Sequence, residues 1–138
     1  MKYLLISLLL AGPATAMAQI PPAGVEKDIR QQTPGELTIT AAWLEQTILT
    51  QPENVELRIK LGFAYTRLHR ADDAQRSFET AVRLDPRRAI AHYMLGVIYE
   101  KKGLKAQAIA SWQTCLEISV DERIRQTAIK HLNTLNPR

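Results

Sequence analysis

From Leu37 onward, apolar residues recur every three or four positions, the spacing of helices that bury one side. Between Leu37 and Thr50, Ala41, Leu44 and Ile48 share a face with Ala42 and Leu49 beside it, and Pro52 ends the run. Glu56 to Leu68 is apolar on nearly every side, through Leu57, Ile59, Leu61, Phe63, Ala64, Tyr65 and Leu68, which predicts a helix covered from several directions. Asn54 reads as its N-cap and His69-Arg70 as the following turn. A further helix is predicted over Asp73–Leu84, with Asp72 as N-cap and Asp85-Pro86 as its stop. The plan then repeats: Ala89–Lys102, a turn at Gly103, and Lys105–Ile118. Ser119 precedes Glu122 with capping-box spacing, opening a last helix to Leu135. Its apolar stripe is Ile124, Ala128, Ile129, Leu132 and Leu135; its wet face is Arg123, Arg125, Gln126, Lys130 and His131. Only Leu37–Thr40 alternates in polarity, and it has no second run to pair with in a sheet.

The chain also superposes on itself at an offset of 34 residues. Leu61, Gly62 and Tyr65 fall on Leu95, Gly96 and Tyr99; Ala74, Phe78 and Ala81 fall on Ala108, Trp112 and Cys115. The run before Pro52 aligns with the second helix of the next unit, Leu44 under Phe78 and Pro52 under Pro86, as the surviving half of a degenerate repeat. A repeat of this length is the mark of stacked helical hairpins, which offer a concave surface for another chain rather than a pocket for chemistry.

With Leu61-Gly62, Tyr65, Ala74, Phe78, Ala81 and Pro86 in one unit, and Leu95-Gly96, Tyr99, Ala108, Trp112 and Cys115 in the next, the chain resembles the tetratricopeptide repeat (TPR) family. Arg58 and His92 stand where that family carries Trp, and Val120 replaces the closing Pro of the second unit. The resemblance implies an all-α fold: a short right-handed superhelical stack of antiparallel helix pairs with a C-terminal capping helix. The expected organisation is a signal peptide at 1–18, a flexible leader at 19–35 and a TPR domain at 36–138. Within that domain lie a half-repeat helix at 36–52, repeats at 54–88 and 89–120, and the capping helix at 121–135.

In the family, the first helices of successive units line the concave face that takes the ligand. A helical-wheel reading groups Ile59, Phe63, Thr66 and Arg67 away from the Leu61–Gly62–Tyr65 side. The equivalents in the next unit are Tyr93, Val97, Glu100 and Lys101, with Arg87 and Arg88 as a basic rim between units. The expected floor is apolar and partly aromatic. Ile59 and Phe63 stand where the carboxylate clamp of some TPR domains would begin, so an amphipathic helix or extended apolar segment is the expected guest. Cover by the chain's own leader or by a second copy is the alternative, since bare apolar patches are uncommon on monomers.

Lys2, the apolar run Tyr3–Ala11, the Gly12-Pro13 break and Ala16-Met17-Ala18 read as a cleaved export signal, cut after Ala18 with Ala16 as second choice. An uncleaved anchor is the rival, but that run is under half the ~20 residues a span needs. The expected location is periplasmic, alternatively secreted. The net charge of +4 is spread without a basic tract, so nucleic acid is not an expected partner. Cys115 is the only cysteine; its place opposite Ala81 predicts a buried, inert thiol. His69, His92 and His131 lack ligand spacing, and Asp72-Asp73 and Asp121-Glu122 sit at helix starts, where negative charge complements the dipole. No nucleophile elbow, zinc-protease or phosphate-loop motif occurs. No metal, cofactor or catalysis is expected. The expected role is an adaptor or assembly factor that holds an envelope or periplasmic protein, with self-association through the same groove as the alternative.

Overall fold

The computed structural model describes residues 20–136. Six helices follow one another: α1 (Pro34–Thr50), α2 (Val55–Arg67), α3 (Ala71–Leu84), α4 (Ala89–Lys101), α5 (Lys105–Ile118) and α6 (Glu122–Leu135). Among the described residues there is no strand. Loops of three or four residues force each helix back along its predecessor, and each packs principally on its neighbours in sequence. No helix among the described residues is long and apolar enough to cross a membrane. The export segment at 1–18 lies outside the described residues.

The 34-residue register is visible in the contacts. Tyr65 Oη donates to Glu45 on α1, and Tyr99 Oη donates to Glu79 on α3 at 2.7 Å, the same bond one unit later. Burial first, and then the Glu45 carboxylate, push the Tyr65 phenol up to about 12. The left-handed turn residues repeat as well, His69 at φ 59° and Gly103 at φ 72°. Glycine adopts that conformation freely; His69 does so at a cost. α1 thus stands to α2 as α3 stands to α4, the place of a second helix in a leading unit. Leu44, Phe78 and Trp112 occupy one repeat position, all buried.

Gly62 and Gly96 explain how such large rings fit. A Cβ at Gly62 would meet Phe78 Cζ at 2.7 Å, and one at Gly96 would meet Trp112 Cε2 at 2.6 Å. The rings lie flush on the helix backbone, and neither ring has exposed surface. Gly96→Ala is therefore expected to destabilise by about 1–3 kcal/mol despite alanine's better helix propensity. Urea unfolding checks this; a stabilised variant would contradict the packing.

Three local expectations change. Asn54 caps α2 as read, accepting from Leu57 N. Asp72, however, lies inside the first turn of α3, whose N-cap is Arg70 without a side-chain cap. Its carboxylate instead meets Lys102 Nζ at 2.6 Å. Ser119 does not open α6; Asp121 does, accepting from Arg123 N and Ile124 N. In α6, Ile129 is exposed, while Arg125 and His131 leave the wet face: Arg125 Nη1 donates to Leu116 O at 2.6 Å, and His131 stacks on Trp112. Cys115 is fully buried, and burial pushes its thiol up to about 11.

The segment read as a flexible leader is packed on the domain. Gln32 is buried, its Nε2 donating to Gly24 O and Lys27 O while its Oε1 accepts from Thr40 Oγ1 at 2.8 Å. Thr33 caps α1 in a full capping box with Glu36.

Candidate functional site

α2 turns Lys60, Phe63, Thr66 and Arg67 toward a hollow of about 790 Å3. One wall comes from residues 21–30, among them Val25 and Ile29; the other comes from Thr40, Trp43 and Leu44 of α1. Phe63 sits edge-on to Phe78, ring centroids 5.4 Å apart at 84°, so one side of it is core and the other faces the hollow. Thr66 Oγ1 donates to Gly62 O at 2.8 Å. Arg67 Nη1 donates to Ile29 O at 2.6 Å, tying the leader to α2.

Ile59 is not part of this surface. At 5% exposure it belongs to the core cluster. The second half of the expected face is separate too. None of Tyr93, Val97, Glu100 and Lys101 lines the hollow. Tyr93 stands edge-on to Trp112, centroids 5.2 Å apart at 86°, and Val97 packs into the cluster of Ala108, Trp112 and Ala128. Glu100 accepts from Trp112 Nε1 at 2.7 Å and lies 2.6 Å from His131 Nδ1, so its carboxylate is spent inside the protein. Lys101 is exposed. Of the rim pair, Arg88 is ion-paired with Glu56 across the units, and Arg87 is exposed. Of the eight expected contact residues, three meet at one hollow.

The sequence reading missed the other wall. Trp43 stands where the later units carry Ser77 and Ser111, and Lys60 stands where the next carries Met94. Those departures from the repeat were the available signal. Trp43 packs partly against the core and also lines the hollow, and Lys60 is an exposed charge at its edge.

The leader wall is pinned electrostatically. Lys27 Nζ lies 2.5 Å from Glu36 Oε1, and that bond, then the Thr33 N–H, hold the Glu36 carboxyl down to about 2 from 4.5. A value depressed by folding means the tie is complete above about pH 4.5 and is lost as the pH falls toward 2. The amide signals of Gly24 and Gln32 are expected to titrate with a midpoint near 2, and to lose that titration in Glu36→Gln. A wild-type midpoint at the ordinary carboxylate value would contradict the tie. Among the described residues, no three His, Cys, Asp or Glu side chains gather into a metal-sized cluster.

The sequence pattern of the tetratricopeptide repeat family matches residues 59–114. Among solved structures, the chain is similar to the crystal structure of MamA, with a TM-score of 0.60 and 19% sequence identity over 73% of this chain and 67% of that one. At that identity the likeness speaks to fold. No curated protein matches the chain in sequence. Tetratricopeptide repeats generally mediate protein–protein interaction, and their proteins are typically non-catalytic adaptors. The family match spans α2 to α5, the repeated contacts extend its register to α1, and residues 59–114 carry the tetratricopeptide repeat pattern on an all-helical fold.

Proposed function

We propose that this is an exported, non-catalytic adaptor or assembly factor that holds another envelope protein by an apolar or amphipathic segment. The observation that carries this reading is the hollow beside α2. It is floored by Trp43, Leu44 and Phe63 and rimmed by Lys60 and Arg67, a mostly apolar concavity with a few placed charges. Aromatic side chains in such places are where binding energy concentrates. Export is supported by the short apolar run after Lys2 and the Ala16-Met17-Ala18 site.

Two measurements test it. Mature protein is expected to begin at Gln19 and to fractionate with soluble envelope proteins; Met1 retained in the membrane pellet would overturn export. Immobilised wild-type protein is expected to retain one partner from the envelope fraction in near-stoichiometric amount, and a helical, folded Trp43→Ala variant to lose it. Unchanged capture by that variant would move recognition away from the hollow.

A further inference from the structure

Residues 20–33 stand 34 positions before 54–67, so they occupy the register of a first helix in the leading unit. They do not wind into one. Pro21, Pro22 and Gly24 at φ 95° leave only a single 3-10 turn, Ile29–Gln31. The consequence is local. Ile29 is the register equivalent of Phe63, and Leu44 that of Phe78. Phe63 and Phe78 stack edge-on, whereas Ile29, packed against the edge of the core, and Leu44 both line the hollow. The hollow is the volume that the inner helix of a complete unit would fill.

Its charges say what kind of helix fits. Lys60 and Arg67 lie seven residues apart on one face of α2, about 10.5 Å along its axis, with Phe63 between them. Among the described residues Lys60 is in no ion pair, and Arg67 donates to a carbonyl and meets Asp28 only at longer range, leaving guanidinium donors free. On the leader wall, Lys27 and Arg30 are already paired with Glu36 and Asp28, and Glu26 is the one unpaired acid. The uncompensated charge beside Phe63 is therefore basic.

We propose that the hollow is completed by an amphipathic helix of the partner, with acidic residues at i and i+7 and large apolar residues at i+3 and i+4. The apolar pair packs on Trp43, Leu44 and Phe63, and the two carboxylates meet Lys60 and Arg67. This rests on the reading of the hollow as the place where a partner is held, and it specifies that partner's chemistry.

The test uses a blocked synthetic helix of that pattern, in three versions carrying Glu, Gln or Lys at the two charged positions, titrated calorimetrically into the mature protein. The Glu peptide is expected to bind about five- to tenfold more tightly than the Gln peptide, with the difference shrinking at about 1 M salt. Lys60→Glu/Arg67→Glu is expected to reverse the order in favour of the Lys peptide. Lys60→Glu alone, which breaks no hydrogen bond or ion pair among the described residues, is expected to erase most of the preference should the double variant lose its fold. Equal binding of the Glu and Gln peptides would overturn the acidic pattern while leaving the hollow as a binding place. No binding by any peptide, together with unchanged capture by Trp43→Ala, would overturn both. Self-association of the wild type that Lys60→Glu abolishes would make the occupant a second copy and overturn the partner helix.

Discussion

Trp112→Ala is expected to cost about 3–5 kcal/mol, a large share of the roughly 5–15 kcal/mol by which a domain is stable. Trp112 has no exposed surface and joins three elements. Tyr93 of α4 meets it edge-on, the Gly96 backbone lies against its face, and His131 of α6 stacks on it with centroids 4.4 Å apart at 14°. Its Nε1 also donates to Glu100, which faces His131, so truncation removes a hydrogen bond as well as apolar surface. Because α6 packs Ala128, Leu132 and Leu135 into the Trp112 cluster, hydrogen exchange in Glu122–Leu135 is expected to rise first. Trp112→Phe is expected to recover much of the loss, since Phe78 fills the equivalent position one unit earlier. A cost for Trp112→Ala below about 1 kcal/mol would show that the cluster of Ala108, Trp112 and Ala128 is not a cooperative part of the domain.

Deleting the chain through Pro52 is expected to unfold what remains. α1 buries Leu37, Ala41, Leu44 and Ile48 against the domain, and each large aliphatic side chain contributes about 1.5–3 kcal/mol by burial. The deletion also uncovers Leu61 and Tyr65, which stand beside Glu45, Ile48 and Leu49, and removes Glu45, the acceptor of the Tyr65 hydroxyl. Trimming only to Gly35 is expected to cost about 1–2 kcal/mol, because it takes away the Thr33 cap and leaves buried Thr40 without Gln32. Thermal unfolding followed by circular dichroism separates the two truncations. A deletion through Pro52 that still unfolds cooperatively at the wild-type temperature would remove α1 from the domain.

The helical plan was legible because period and repeat are local properties of the chain. Lys105–Ile118 emerges with the boundaries the pattern predicts, and Gly103 takes the left-handed turn. The caps were less legible. Where His69 or Gly103 reverses the chain, the backbone enters the next helix immediately, and no side-chain oxygen is needed at Arg70 or Leu104. The candidate site was legible only in part, for a different reason. A wheel divides α2 into faces but cannot say that Ile59 is buried in the core, or that Glu100 is claimed by Trp112 and His131, which lie 12 and 31 residues away in sequence. The leader's prolines and glycine do preclude a regular helix, while what holds it on the domain is the Gln32 amide with its backbone carbonyls and Thr40, the Lys27–Glu36 pair and the Arg67 bond to Ile29 O. Nothing in spacing announces such a bond.

The central claim is that a partner segment sits in the hollow between the leader, Trp43 and Phe63. A photo-crosslinking residue placed at Lys60, inside the hollow, and separately at Gln113, exposed on α5, tests it in intact cells. The account predicts one adduct of defined mass from position 60, lost when Trp43→Ala is added, and none from position 113. No adduct from position 60, or the same adduct from both positions, would contradict it.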